Sequence, residues 1–253
     1  LDAAGRTALT AGADGRVRAY DVEAGRCLWS AAGHGGAGVR CAVLGAPDGR
    51  LLGLTGGEDF NAVAWDVRAG RAAAVLAGHS GWVVDVALAP AGRRAATASA
   101  DGTARIWCSR TGSCERVLAG HGGRLSRVAF GADGATVLTA SDDGTAALWC
   151  LHSGARTHAF APGGGWIADA ALGAGVALLA LSSGGVAAFD AATGAPLAAS
   201  PGHAGAALCA ALTARGRFGV TGGADGTARV WDLSAARCGH PPPARAPRHA
   251  GRV

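Results

Sequence analysis

The segment SADGTARIW at residues 99–107 decides the fold, because close copies of it return at regular intervals along the chain. It recurs as SDDGTAALW at residues 141–149 and as GADGTARVW at residues 223–231. Aligned on the central Asp, the chain divides into six repeats, whose markers are Asp14, Asp59, Asp101, Asp143, Gly184 and Asp225. The steps between these markers are 45, 42, 42, 41 and 41 residues. A fixed period of this length indicates a repeat architecture.

Two further markers keep the same period. Six residues after the Asp comes an aromatic residue, at Tyr20, Trp65, Trp107, Trp149 and Trp231, and the shorter fifth repeat ends in Phe189. A Gly-His pair opens the later repeats at His34, His79, His121 and His203, and Gly163 stands there in the fifth. The repeats therefore span residues 1–33, 34–78, 79–120, 121–161, 162–202 and 203–240. Together they form one predicted domain, residues 1–240.

The third repeat predicts four short strands, over residues 82–88, 94–99, 103–108 and 114–118. Glycine-containing turns separate them, and glycine adopts the positive φ that tight hairpins require. Even strand spacing without helical periodicity predicts an all-β chain. One four-stranded sheet cannot bury both of its faces, so neighbouring sheets must stack around an axis. We therefore predict a β-propeller of four-stranded antiparallel blades, with six blades visible and the first one truncated.

These motifs resemble those of the WD-repeat propeller family, over residues 1 to about 240. In that family His, Ser, Asp and Trp form a hydrogen-bonded tetrad inside each blade, where the buried polar groups satisfy one another. The resemblance implies two complete tetrads, namely His79, Ser99, Asp101 and Trp107, and His121, Ser141, Asp143 and Trp149. It implies partial sets in the second and sixth repeats, namely His34, Asp59 and Trp65, and His203, Asp225 and Trp231. Gly57 and Gly223 replace the Ser there, so we expect incomplete or water-filled networks, and we expect repeats one and five to be the softest.

The first repeat lacks nearly all of its first strand, because Leu1 aligns with the last apolar residue of that strand in the later repeats. We therefore expect the chain to be a fragment of a larger WD-repeat protein, with further domains of the same parent upstream. The resemblance implies seven blades or more in the intact protein. The Pro- and Arg-rich stretch at residues 241–253 offers few N–H donors, and we expect a flexible tail.

Composition limits the classes of partner. The net charge is +5, and all 23 basic residues are Arg. They are scattered, whereas a nucleic-acid footprint would be clustered on one face, so nucleic-acid binding is not expected. The chain has no run of 18 consecutive apolar residues, so no membrane span is predicted. The 7 cysteines are odd in number and lack metal-ligand spacing, which favours reduced thiols in an intracellular protein, cytoplasmic or else nuclear.

The sequence favours a non-enzymatic role. A Ser, a His and an Asp near one another suggest a catalytic triad, but the same set recurs at a 42-residue interval with a Trp each time. An active site is needed once, whereas a structural brace is needed in every blade. The histidines stand about forty residues apart without a second ligand at metal-binding spacing. The Gly-rich residues 163–165 precede a strand rather than a helix, so they do not match a phosphate-binding loop. We therefore expect no catalytic residue, no metal and no cofactor.

Two alternative functions stay open. The segment WDVR at residues 65–68 resembles the Trp-Asp-x-Arg box of substrate receptors that dock on the propeller adaptor of cullin-RING ubiquitin ligases; Arg68 could equally be an ordinary turn residue. The propeller could also be an accessory domain beside a kinase or nucleotide-hydrolysing domain elsewhere in the parent protein.

The leading hypothesis is a scaffold that binds other proteins or peptide segments on the narrow face around the axis. Three positions after the Gly-His place lie Trp82, Arg124 and Trp166, and three positions further lie Asp85, Arg127 and Asp169. Because these residues belong to three consecutive repeats, we expect the six side chains to form one patch bordered by Asp142. Trp and Arg are frequent hot spots, and the alternating charges would set the register of a bound segment. The alternative is that Trp82 and Trp166 pack between blades.

Overall fold

The computed structural model describes residues 1–46, 50–213, 215–234 and 244–245. Its 23 strands form six antiparallel sheets of three or four strands, each taking its strands in consecutive order. This confirms the prediction of an all-β propeller with six visible blades and a truncated first blade. Within the described ranges the structure contains no helix that is long and apolar enough to cross a membrane. The chain divides into two compact units, Leu1–Phe130 and Gly131–Val253.

The N-terminal unit holds the first three blades and the strand that opens the fourth. The first blade consists of β1 (Thr7–Ala11), β2 (Arg16–Asp21) and β3 (Arg26–Ala32). The second consists of β4 (Val39–Gly45), β5 (Leu52–Gly57), β6 (Ala62–Asp66) and β7 (Arg71–Leu76). The third consists of β8 (Val83–Leu88), β9 (Arg94–Ser99), β10 (Ala104–Cys108) and β11 (Cys114–Leu118), and β12 (Leu125–Phe130) follows. The strands of the third blade match the predicted ones to within one residue.

The C-terminal unit holds the remaining strands. These are β13 (Thr136–Ser141), β14 (Ala146–Cys150) and β15 (Arg156–Phe160), then β16 (Ile167–Gly173), β17 (Val176–Leu181), β18 (Val186–Asp190) and β19 (Pro196–Ser200). The last blade has β20 (Ala207–Leu212), β21 (Phe218–Gly223), β22 (Ala228–Asp232) and β23 (Ala244–Arg245).

Strand β23 is the part of the expected tail, residues 241–253, that the structure describes. Its two residues pair with β22, in the register Val230↔Arg245 and Trp231↔Ala244. Ala and Arg keep the main-chain N–H that the neighbouring prolines lack, so they are able to join a sheet. The rest of the tail lies outside the described residues.

The second strand is largely or wholly buried in the second to fifth blades. All six residues of β5 and all six of β17 are buried. In the N-terminal unit, Leu54 and Val83 pack with Trp107 between the second and third blades. In the C-terminal unit, Leu179 packs with Ile167 and neighbouring residues. Within each unit, neighbouring blades thus bury apolar side chains against each other, as the sequence argument requires.

A β-bulge marks the start of the first strand in four blades. The register shifts between Val39 and Cys41, between Val83 and Asp85, and at the same places in the fifth and sixth blades. A bulge leaves one residue unpaired and re-aims its side chain. In the second blade the unpaired residue is Arg40, whose guanidinium reaches the third blade, as described below.

Candidate functional site

A chain of hydrogen bonds runs through the third blade. The indole Nε1 of Trp107 donates to Oγ1 of Thr97 at 2.9 Å. That oxygen lies 2.7 Å from Nε2 of His79, and Nδ1 of His79 lies 2.8 Å from Oδ2 of Asp101. Trp107, Thr97 and His79 are buried. Each buried polar group therefore has its partner inside the blade.

The donors and acceptors fix the direction of this chain. An indole N–H only donates, and an ionised carboxylate only accepts. The Thr97 hydroxyl accepts from Trp107, so its own hydrogen goes to Nε2 of His79, and Nδ1–H of His79 donates to Asp101. The arrangement assigns the neutral, Nδ1-protonated tautomer to His79. Its role is to hold the strands of the blade together.

Threonine, not serine, links His to Trp, which corrects the tetrad inferred from the family resemblance. The Oγ of Ser99 instead donates to the carbonyl oxygen of Gly81 at 3.0 Å and accepts from the N–H of Asp101 at 3.1 Å. Ser141 accepts from the N–H of Asp143 at 3.1 Å in the same way. These serines hold the turn that carries the Asp.

The second blade has the same complete network, although Gly57 stands in place of the Ser. Nε2 of His34 lies 2.8 Å from Oγ1 of Thr55, which accepts from Trp65 Nε1 at 2.9 Å. Nδ1 of His34 lies 2.9 Å from Oδ1 of Asp59. The expectation of an incomplete or water-filled network is thereby corrected. The bridging hydroxyl belongs to Thr55, whereas Gly57 replaces the Ser two residues later, which does not bridge His and Trp.

The sixth blade repeats this geometry with Gly223 in place of the Ser. His203 lies 2.9 Å from Thr221 through Nε2 and 3.1 Å from Asp225 through Nδ1. Trp231 Nε1 donates to Oγ1 of Thr221 at 2.9 Å. In both of these blades a Cβ on the glycine would come within 2.3 Å of Nδ1 of the histidine. The glycines therefore make room for the imidazole.

Blades one and five differ from this pattern. The fourth blade keeps its Trp–Thr bond, in which Trp149 Nε1 donates to Thr139 Oγ1 at 2.9 Å. In the first blade Thr10 donates to the carbonyl oxygen of Arg18 at 3.5 Å. In the fifth, buried Leu179 takes the threonine position, and Phe189 packs on Phe160 with ring centroids 4.6 Å apart. The fifth blade replaces the polar network with apolar packing.

Burial and hydrogen bonding set the charge states in the third blade. Burial lowers the pKa of His79, and the hydrogen bond to Asp101 opposes that effect. Burial would raise the pKa of Asp101, but hydrogen bonds from Thr103, the Ser80 N–H and His79 bring it down to about 2. At neutral pH a neutral imidazole therefore lies beside an ionised carboxylate.

Asp85 and Asp169 bind the next blade along the chain. Oδ2 of Asp85 accepts from the N–H of Val128 at 2.9 Å, and its Oδ1 lies 3.2 Å from NH1 of Arg127. Oδ2 of Asp169 accepts from the N–H of Ala210 at 2.8 Å. The two residues are only 6% and 8% exposed. This corrects the expectation that they face a partner, because their oxygens are used within the protein.

Trp82 directly precedes β8 and is 43% exposed. The guanidinium carbon of Arg40 lies 5.0 Å from the centroid of the Trp82 ring. Arg40 NH1 in turn donates to Oε1 of Glu58 at 2.7 Å. We call these three residues the Trp82 surface. Sequence reasoning found Trp82 but missed Arg40 and Glu58, because the bulge that turns Arg40 outward has no clear signature in the sequence.

Trp166 has the equivalent place in the C-terminal unit and is 54% exposed. It lines an open cavity of about 530 Å³ together with Asp142 and the glycines Gly163 and Gly165. Its carbonyl oxygen accepts from the N–H of Ser182 at 3.0 Å, as that of Trp82 accepts from Ala100 at 2.9 Å. We call Trp166 and this cavity the Trp166 surface.

The residues of the expected patch are distributed over both compact units. Trp82 and Asp85 lie in the N-terminal unit with Arg124 and Arg127, both exposed. Asp142, Trp166 and Asp169 lie in the C-terminal unit. Trp82 and Trp166 are about half exposed, so the alternative of packing between blades would account for only part of each side chain.

Arg68 of the Trp-Asp-x-Arg segment is exposed. It lines a cavity of about 630 Å³ with Arg6, Asp2 and Trp29. The preceding Asp66 accepts from the N–H of Ala69 at 3.1 Å and pairs with Arg50 at 3.0 Å.

The described cysteines are all free thiols, and the described residues include no cluster of three His, Cys, Asp or Glu side chains that could hold a metal ion. Cys108 and Cys114 lie on paired strands, where Cys114 is opposite Trp107.

Comparison with known proteins identifies the repeat. The family model for the WD domain, G-beta repeat (WD40) matches residues 25–66, 70–108, 112–150 and 194–232, which together are more than half of the chain. Each match begins near the outermost strand of one repeat and ends with the third strand of the next. The stretch between the last two matches includes Gly163 and Gly184, where the fifth repeat lacks its His and Asp markers.

A search of curated proteins finds no match. Among solved structures, the crystal structure of the computationally designed Ika8 protein is similar, with a TM-score of 0.79 and 23% sequence identity. The likeness covers 90% of this chain and 68% of that one, and at this identity it shows the fold alone. Proteins with WD40 repeats generally bind other proteins or peptides and are generally non-catalytic. With four matched repeats and the blade structure in place, the chain belongs to the WD40 repeat family.

Proposed function

We propose that this chain is a non-catalytic scaffold that binds segments of other proteins where the first strands of its blades begin. The observation that carries the proposal is the exposure of two indole rings, Trp82 and Trp166, at equivalent positions of two blades. Trp65, Trp107 and Trp231 are at most 3% exposed. Tryptophan is among the side chains that most often dominate binding energy, because it buries a large ring and also donates a hydrogen bond.

The Trp82 surface is held in position before a partner arrives. Arg40 lies over the ring, and Glu58 binds Arg40, so the indole has less rotational freedom to lose on binding. Protein interfaces typically have an apolar or aromatic centre surrounded by a polar rim. Trp82 matches such a centre, and the Arg40–Glu58 pair beside it matches the rim. These contacts support a binding role for Trp82.

The Trp166 surface offers a different shape. Gly163, Gly164 and Gly165 have φ values of 75, 86 and 96°, in the left-handed region that favours glycine. The segment therefore presents main-chain groups beside an exposed indole. A partner segment could place an apolar side chain against Trp166 and donate main-chain hydrogen bonds to this loop.

Affinity purification with quantitative mass spectrometry tests the proposal. The baits are the parent chain, Trp82→Ala, Trp166→Ala and the control Val75→Ala, which removes an exposed apolar side chain from β7. Purified partner fragments are then titrated against each variant. We expect the Trp variants to weaken binding of at least one partner about tenfold or more, as loss of a hot spot would. Parental affinity of both Trp variants for every partner would refute the proposal.

Arg68 supports a second candidate function, that of a substrate receptor of a cullin-RING ubiquitin ligase. The residue is exposed and lines a cavity, where a docking protein could reach it. Capture of the propeller adaptor by the parent chain, and its loss with Arg68→Ala, would support this role. No capture by the parent chain would exclude it.

A further inference from the structure

A second concave surface lies at the opposite end of the third blade from Trp82. Strand β8 begins at Val83, opposite Ser99, and reaches Leu88, opposite Ala95. The end of β10 at Cys108 pairs with Arg94. The β8–β9 turn and the turn after β10 therefore share the end of the sheet that is remote from Trp82. They line a cavity of about 600 Å³ together with the start of β5 in the second blade.

Three arginines line this cavity, namely Arg50, Arg93 and Arg110. Arg50 donates to Oδ2 of Asp66 at 3.0 Å. Arg93 and Arg110 are exposed, and among the described residues neither guanidinium has a carboxylate within salt-bridge distance. One concavity is thus lined by two arginines without a described carboxylate partner and by a third that binds Asp66. Leu52 adds an apolar surface to it.

Main-chain hydrogen bonds fix the two turns that carry Arg93 and Arg110. The N–H of Ser109 donates to the carbonyl oxygen of Arg93 at 3.1 Å, and the buried Ser109 hydroxyl donates to that of Gly92. Gly112 N–H closes the second turn on the carbonyl oxygen of Cys108 at 2.9 Å. The backbones of both arginines are held together before any ligand binds, which lowers the entropy cost of gathering like charges.

We propose that this cavity binds the phosphate group of a phosphorylated serine or threonine in a partner protein. Such a group carries nearly two negative charges and three acceptor oxygens, and guanidinium forks bind it bidentately. A carboxylate offers one charge and two oxygens and would leave part of the cluster uncompensated. The cavity is larger than one phosphate needs, so neighbouring peptide residues fit beside it, against Leu52. The site is separate from the Trp82 and Trp166 surfaces and does not depend on them.

A peptide suits this cavity better than a nucleic acid does. Nucleic-acid binding draws its affinity from many phosphates contacted along a basic track. The three arginines instead surround a single concavity, and the chain's other arginines are scattered in sequence. This arrangement fits one isolated phosphate.

Fluorescence anisotropy with labelled peptides tests the inference on the full chain. The probes are Gly-Ala-Ala-phosphoserine-Ala-Ala-Gly and its unphosphorylated form. We expect the parent chain to bind the phosphorylated probe about tenfold or more tightly. The double variant Arg93→Gln/Arg110→Gln should reduce that preference to about twofold or less, as loss of two charge-assisted contacts implies. The control Arg26→Gln/Arg215→Gln removes the same charge from exposed positions elsewhere and should leave the preference intact.

Four results would overturn the inference. One is equal binding of both probes by the parent chain, and another is an equal loss in the control variant, which would indicate unspecific attraction. The third is tighter binding of a single-stranded DNA oligonucleotide than of the phosphopeptide. Displacement of the phosphopeptide by an equal concentration of inorganic phosphate would also overturn the assignment to a peptide. Circular dichroism and thermal midpoints matching the parent establish that each variant is folded.

Discussion

Oδ2 of Asp85 accepts a hydrogen bond from the main-chain N–H of Val128, 43 residues later in the sequence, at 2.9 Å. Asp169 makes the same contact with the N–H of Ala210, 41 residues later, in the C-terminal unit. In each pair the carboxylate belongs to the first strand of one blade and the N–H to the first strand of the next. Nearly buried carboxylates thus connect consecutive blades. Each one supplies an acceptor to a main-chain N–H of the next blade, and a buried N–H without an acceptor is costly.

Replacing Asp85 by Ala should lower the free energy of unfolding by about 1–3 kcal/mol, since the N–H of Val128 loses its acceptor in a buried place. Asp85→Asn keeps an acceptor oxygen and should cost less. Equilibrium denaturation in urea measures both, with Glu23→Ala as a control that removes one exposed carboxylate. Equal stability of Asp85→Ala and Glu23→Ala would show that the contact between blades contributes nothing.

Thr97→Val should cost more stability than Ser99→Ala. Valine keeps the shape of threonine but leaves Nε2 of His79 and Nε1 of Trp107 without their partner, at a cost of about 2–4 kcal/mol. Removing the Ser99 hydroxyl affects one turn, at about 1 kcal/mol. Denaturation midpoints of the two variants decide between them. A larger loss in Ser99→Ala would mean that the tetrad drawn with serine describes the energetics better than the geometry of the blade does.

The threonine was visible in the sequence but was not recognised. A Thr stands ten residues before the aromatic marker in five of the six repeats, at Thr10, Thr55, Thr97, Thr139 and Thr221. The family resemblance drew attention to the Ser two residues later, which lies on the same side of the strand. Alternate residues of a strand share one face, so periodicity alone cannot say which hydroxyl reaches the imidazole. The distances of 2.7 and 2.9 Å to Thr97 decide it.

Strand order could be predicted from the sequence because local signals specify it: glycine turns, even strand spacing and a constant period. The boundaries in the third blade agree to within one residue for the same reason. The contacts of Arg40 and Asp85 could not be predicted, since each depends on how one blade lies against the next. Those contacts are set by the bulges at the strand starts, and a bulge adds one residue without a distinctive composition.

Trp107→Ala should destabilise the chain more than Phe189→Ala. The Trp107 ring is 1% exposed, and its removal leaves a cavity and an unpaired Thr97 hydroxyl, at a cost of about 3–5 kcal/mol. Phe189 is only partly buried and packs on Phe160 without a hydrogen bond, so truncation loses apolar contact alone. Trp149→Ala should resemble Trp107→Ala, because its Nε1 also donates to a buried threonine. Equal unfolding free energies for all three variants would contradict the argument.

Stability should fall as the pH drops below neutrality, with His79 as one cause. Burial lowers the pKa of His79 in the folded chain. Below about pH 6.5 the unfolded chain takes up a proton at this residue that the folded chain resists, so the free energy of unfolding decreases. Asp101 adds a second loss from about pH 4 downward, since its folded pKa is about 2. Urea titrations of the parent and of His79→Gln measure the effect.

The two curves should approach each other as the pH falls from about 7 to about 5, because only the parent loses the contribution of a neutral His79. Other histidines contribute equally to both proteins and cancel in the difference. A constant gap between the curves over this range would contradict the assignment of a neutral imidazole to His79.

Two cysteines should differ in their reactivity towards an alkylating agent. A hydrogen bond from the Thr111 side chain lowers the pKa of Cys108, whereas burial raises the pKa of Cys41 well above its usual range. The thiolate is the reactive form, so at about pH 8 iodoacetamide should modify Cys108 about tenfold faster than Cys41 or more. Peptide mass spectrometry over time gives both rates in one sample. Thr111→Val is the matched control: it should slow the reaction at Cys108 and leave the rate at Cys41 unchanged. Equal rates at the two thiols in the parent, or a Cys108 rate that does not respond to Thr111→Val, would show that neither burial nor this hydrogen bond governs the thiolate fraction.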